Sequence, residues 1–129
     1  MTNIPENRKY TSEHEWVETR SGGSVRVGIT DFAQKQLGDI VFAEQPKVGD
    51  RFDAGEPFGS VESVKSVTEV YMPMAGRVTA RNDRLSDEPE LMNDQPYDDG
   101  WLIEISPENP SPDGLMSATE YDAWITSAD

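Results

Sequence analysis

The fold is constrained most by punctuation: short β-branched runs are cut off by glycine or proline before a long helix could form. In "HEWVETRSGGSVRVGIT", Val25, Val27 and Ile29 alternate strictly with Arg26 and Gly28, which predicts a strand with one buried face. His14 to Thr19 supplies its partner, with Gly22-Gly23 in the turn. "DIVFAE" reads as a buried apolar strand stopped by Pro46, and "PKVGDRFDAGEPFGS" as turn-rich. "MAGRVTARND" predicts a turn followed by a strand from Arg77 to Arg81. In "GWLIEIS", Trp101, Ile103 and Ile105 alternate onto one face, and both Trp101 and Trp124 read as core.

Helical signals are short and peripheral. "TDFAQKQLGD" has a cap at Thr30 or Asp31, with Gln34 three residues after Asp31 and a stop at Gly38. "LSDEPELMND" allows one or two turns, and "SPDG" places Pro112 at a first helical position. "SATEYDAWITSAD" holds a capping box, Ser117 to Glu120, and a stripe of Tyr121, Trp124, Ile125 and Ala128. That predicts a C-terminal helix over about 117–127 covering a sheet. At 129 residues the chain fits one domain, 1–129, with a small β-sandwich or flattened barrel as its frame.

The formal net charge of −14 repels phosphate backbones and anionic lipid, so neither nucleic acid nor membrane is an expected partner. It suits transient docking on basic protein surfaces, or simply solubility. There is no cysteine, which excludes disulfides and thiolate chemistry by the chain itself. The N-terminus shows no apolar signal core and no Arg-rich presequence, and no run reaches transmembrane length. A monomer is the default expectation. His14, the single histidine, beside Trp16, reads as structural, and "DQPYDDG" is no calcium loop because Pro96 takes a ligand position.

One lysine stands apart. In "GSVESVKSVTEVYMPMAG", Lys65 has no basic neighbour nearer than Arg51 or Arg77. Val61, Val64, Val67 and Val70 recur every third residue, as in an amphipathic helix. Composition favours a hairpin over about 58–72: Val, Ser and Thr are poor helix formers, and Gly59 and Pro73 bracket the segment. The buried phase then moves from odd (Val61) to even (Val70) positions, so the chain turns near Val64-Lys65. A Schiff-base lysine would need burial or cationic neighbours, and here Glu62 and Glu69 are carboxylates. A phosphate-cradling lysine would need a glycine-rich loop before it, which "GSVESVKS" is not. What remains is a solvated surface charge, or a protruding amine that a partner enzyme acylates.

"VESVKSVTEVYMPMAGRV" resembles the lipoylation segment of the glycine cleavage system H proteins. "YTSEHEWV", "VGITDFAQKQLGDIVFAE", "GEPFGSVESVK" and "PELMNDQPYDDGWLIEI" follow that family in order. The resemblance implies a mainly β, barrel-sandwich hybrid fold, shared by lipoyl and biotinyl domains, with short peripheral helices and a C-terminal helix. It implies one covalent lipoic acid on Lys65, read by the modifying lipoyl- or octanoyl-transferase or ligase in the context of Glu62, Ser63, Val64, Ser66 and Glu69. The chain would be a non-catalytic shuttle between a glycine decarboxylase (P protein) and an aminomethyltransferase (T protein), reoxidised by dihydrolipoamide dehydrogenase (L protein). It would be cytoplasmic if bacterial and in the mitochondrial matrix if eukaryotic. By position, Glu13, Glu15, Phe32 and Glu69 would line a cleft sheltering the arm. The alternative for the three glutamates is solvated surface, and for Phe32 core packing. No metal site is expected.

Other carriers fit less well. Biotinyl domains flank their lysine with methionines, where Val64 and Ser66 stand here, and 2-oxoacid dehydrogenase lipoyl domains place Asp before and Ala after it. A non-carrier module on the same scaffold, or a donor of lipoyl groups to other proteins, is a further alternative. An independent enzyme is the weakest, since no acid–base pair is visible.

Overall fold

Alternation along the strands divides the side chains between two cores. The computed structural model describes residues 3–109 and 114–127. Among the described residues nine strands form two sheets: β1 (Lys9–Tyr10), β2 (Glu15–Thr19), β3 (Val25–Ile29), β4 (Ile40–Glu44), β5 (Arg51–Phe52), β6 (Pro57–Ser63), β7 (Val67–Tyr71), β8 (Gly76–Arg81) and β9 (Ile103–Pro107). One sheet has the order β1-β2-β3-β9-β8-β5 and the other β4-β6-β7. All named pairings are antiparallel.

Val17, Val27, Val61, Val70, Ile103 and Ile105 belong to the apolar core that holds residues of both sheets. On the other side of β1 and β2 lies an aromatic cluster of Tyr10, Trp16, Tyr97, Tyr121 and Ile125. Trp16 and Val17 are consecutive and therefore face opposite cores, as the period of a strand requires. The C-terminal helix α3 (Ala118–Ser127) closes the aromatic side, with Tyr121 stacked on Tyr10 at 4.8 Å. Its capping box forms: Ser117 N–H donates to Glu120 Oε1 (2.8 Å) and Glu120 N–H to Ser117 Oγ (3.2 Å).

The predicted helix after β3 is α1 (Asp31–Leu37), capped by Thr30, whose Oγ1 accepts from Ala33 N–H, and ended by Gly38 at φ 79°. "LSDEPELMND" becomes a 3-10 turn, Asp83–Ser86, and the short helix α2 (Leu91–Asp94). Pro112 and Ala128 lie outside the described residues.

Three expectations need correction. Ile40–Glu44 is not a buried strand: Val41 and Phe42 are 47% and 52% exposed. It is an end strand with an open outer face, and a bulge between Ile40 and Phe42 turns Val41 out as well. Trp124 is 43% exposed rather than core. Tyr121 and Ile125 centre the buried face, and at about 100° per residue Trp124 falls on the flank away from Ile125. Trp101 does not share a face with Ile103 and Ile105, because β9 begins only at Ile103. Trp101 packs half-buried on the aromatic cluster under Arg26, whose guanidinium lies 4.3 Å from its ring centre.

Gly28 is where the sequence admits Trp16. A Cβ at Gly28 would lie 2.6 Å from the Trp16 ring, whose Nε1–H donates to Pro96 O (2.8 Å). Gly28→Ala is therefore expected to lower the unfolding free energy by about 1–3 kcal/mol through overpacking. Urea denaturation checks this, and an unchanged midpoint would contradict the packing described.

Candidate functional site

The hairpin β6–β7 turns through two residues, Val64 and Lys65. Ser63 N–H donates to Ser66 O (2.8 Å) across the base of the turn. Two-residue hairpins usually need positive φ in the loop. Among the described residues, however, the only non-glycine with positive φ is His14. Ser63 supplies another solution. Its hydroxyl accepts from Lys65 N–H (3.3 Å) and Ser66 N–H (3.2 Å) and donates to Ser66 O (3.3 Å). A serine side chain standing in for backbone is what Ser does in turns. Ser63 is buried, whereas Val64 is 72% exposed and Lys65 is exposed.

The tip is also tied to the chain before β4. Val64 N–H donates to Asp39 O (3.0 Å). The Lys65 stem runs past Gly38, with Cε 3.7 Å from where a Cβ would sit. The backbone of the turn is held at several points, while the amine projects from it.

Beside the tip lies a cleft of about 620 Å³ between β7, α1 and the 13–15 segment. Glu13, His14 and Glu15 form one wall, Phe32 and Leu37 another, and β7 the third. A separate cavity of about 660 Å³, bordered by Arg8, Val17, Val25 and Leu115, shares no residue with it.

Glu15 is the unexpected member. It is 2% exposed and sits on the Val17 side of β2, facing the core. Thr11 Oγ1–H donates to its Oε1 (2.7 Å) and Tyr71 N–H to its Oε2 (3.2 Å). Burial pushes its carboxyl up to about 7, against those two hydrogen bonds, which favour the ionised form. The solvated-surface alternative thus fails for Glu15, while Glu13, Glu62 and Glu69 are exposed. Glu69 is also the chief cause that raises the pKa of the Tyr71 hydroxyl.

Phe32 meets both descriptions offered for it, lining the cleft and packing on the aromatic cluster. His14 faces the cleft too, its ring 4.8 Å from that of Phe32. Its Nδ1 shares a hydrogen bond with Tyr121 Oη (2.8 Å), which also bonds Thr30 Oγ1 (2.8 Å). Burial lowers the imidazole pKa. Through Tyr121, α3 braces both the His14 wall and the cap of α1.

The model of the glycine cleavage H-protein family matches residues 8–128. The chain belongs to that family. It is 53% identical over 127 residues to the glycine cleavage system H protein of Halalkalibacterium halodurans, covering 98% of both chains. The H protein of Chromohalobacter salexigens is 47% identical over 128 residues, again 98% of both. Among solved structures, a glycine cleavage system H protein from Mycobacterium marinum superposes with a TM-score of 0.88 at 38% identity, over 95% of this chain and 99% of that one. The two sheets, short helices and C-terminal helix are thus the lipoyl-domain-like frame of the H-protein family, the lipoyl carriers of the glycine cleavage system.

In this H-protein fold the structure brings Glu13, Glu15, Phe32 and Glu69 together around one cleft, with Ser66 at its rim, and leaves Glu62 on the outer face of the hairpin. Sequence reasoning missed Thr11, Tyr71 and Tyr121 as parts of the site.

The raised carboxyl fixes a pH dependence. Its ordinary value is 4.5 and its folded value about 7. Between these the folded state holds a proton that the unfolded state has lost, so stability falls as pH rises through that window. Glu15→Gln removes the titration. The variant is expected to gain on the wild type by roughly 2–3 kcal/mol between pH 4.5 and 8. Urea midpoints across that range check it, and parallel profiles would rule it out.

Proposed function

We propose that Lys65 carries one lipoic acid in amide linkage, and that the chain is a non-catalytic shuttle of the glycine cleavage system. The observation behind this reading is a single exposed amine on a fastened two-residue turn, beside a cleft that mixes apolar walls with carboxylates. When bound, the group supplies a disulfide–dithiol couple that takes an aminomethyl group at the glycine decarboxylase and yields it at the aminomethyltransferase. The dihydrolipoamide dehydrogenase would be the partner that reoxidises the group.

The residues present fit such a group. Phe32 and Leu37 offer apolar walls to the cleft. Glu15 lies at the floor with both oxygens oriented by hydrogen bonds, and each retains a lone pair for an ammonium. Glu13 and Glu69 add negative potential at the mouth. An ammonium settling in the cleft favours the ionised form of Glu15, so it offsets part of the burial cost. No thiol in the chain can exchange with the arm. The acidic surface suits brief docking to several enzymes as a monomer, and the bacterial relatives favour the cytoplasm as its place of work.

Protein made in cells with active lipoylation is expected to gain one lipoyl group by intact mass, and Lys65→Arg none. An unmodified wild type would refute the carrier reading. For the cleft, Glu15→Gln is expected to speed hydrolytic loss of the aminomethyl group by about tenfold, the loss of one charge-assisted hydrogen bond. An unchanged rate would remove Glu15 from the shelter.

A further inference from the structure

Six large apolar side chains stand exposed among the described residues: Val41, Phe42, Val48, Val64, Val67 and Trp124. Four of them gather at the hairpin end that carries Lys65. Register sets their arrangement. Phe42 lies opposite Glu62, and Glu62 opposite Val67, so one outward row crosses three strands as aromatic, carboxylate, valine. The next outward row is Glu44, Ser60 and Glu69. The bulge before Phe42 adds Val41, and Val64 projects one residue before Lys65.

This is the outer face of the β4-β6-β7 sheet, opposite the core. Solubility does not account for apolar side chains gathered there. Exposed apolar side chains interleaved with charges of one sign have the anatomy of a docking surface.

We propose that this face docks the enzyme that acylates Lys65, through apolar hollows that receive Phe42 and Val67 and Lys/Arg side chains that meet Glu62 between them and Glu44 and Glu69 in the next row. The inference rests on Lys65 as the attachment point, and extends recognition to β4, outside the segment around the lysine. Reach decides the occupant. An acylating enzyme must bring an activated carboxyl to within one lysine side chain of the turn, so it must press against the flanks of the tip. Enzymes that act at the far end of a finished arm are under no such requirement. In the transfer, Lys65 Nζ bonds to the carbonyl of an acyl adenylate, the bond from that carbonyl to AMP breaks, and an amine proton passes to solvent.

The test uses the full unmodified chain, a lipoate–protein ligase, lipoate and ATP, with modification followed by intact mass against protein concentration. Phe42→Thr with Val67→Thr keeps strand-favouring residues. It is expected to raise KM about tenfold with kcat within about twofold, as for loss of an apolar anchor. Phe42→Leu should restore most of the affinity, Val48→Thr should change nothing, and Glu44→Lys should raise KM by itself. Added salt should raise the wild-type KM. An unchanged KM in the double variant or in Glu44→Lys, with the wild type modified normally, would overturn the proposal. So would an equal rise in Phe42→Leu. A wild type that takes no lipoyl group would instead overturn the reading of Lys65.

Discussion

The carboxylate of Glu15 is the joint on which the site depends. It stands on the core-facing side of β2 in one sheet and accepts from the backbone of Tyr71, on β7 of the other. Thr11 fixes its second oxygen and also accepts from Glu13 N–H and Glu15 N–H, each at 3.2 Å. One buried carboxylate thereby orders the turn before β2 and ties it to an end strand whose outward groups would otherwise be unpaired. Burying a charge without a full partner is costly, and the raised carboxyl value records that cost. An apolar residue would be cheaper there for folding alone. Retaining a carboxylate fits a cleft that receives a cation.

Around that joint, rigidity and freedom are allotted to different atoms. Ser63 and Asp39 hold the turn backbone, and Tyr121 braces His14 and Thr30 from the far side of β2. The Lys65 amine is left to project. The left-handed backbone of His14, φ 69°, is held in place by contacts on both sides: its carbonyl accepts from Thr30 N–H (3.1 Å) and its ring meets Tyr121.

Strands with strict alternation were legible in the sequence, as in Val25–Ile29, because a period of two is local. So were the caps of α1 and α3, which depend on residues three apart. The hairpin was legible from composition even though Val61, Val64, Val67 and Val70 mimic a helical stripe. What escaped was set by tertiary placement. Phe42 looks like core in "DIVFAE", and only the strand order shows that its sheet has an uncovered face. Glu15 looks like surface beside Glu13, and only the approach of β7 encloses it. His14 bonds Tyr121, 107 residues away, and no local pattern pairs them.

The two faces of the hairpin end are chemically distinct, and that separation has a consequence. The cleft lies along the free side of β7 and gathers carboxylates around apolar walls, whereas the outer face presents Phe42 and Val67 on either side of Glu62. A partner seated on the outer face does not have to enter the cleft. The outer face and the cleft are therefore built from largely different residues, with Val67 and Glu69 common to both. In a chain with 25 acidic and 11 basic residues, long-range attraction comes from the whole surface. Discrimination must come from short-range features, and the exposed aromatic ring beside the lysine is the least generic of these.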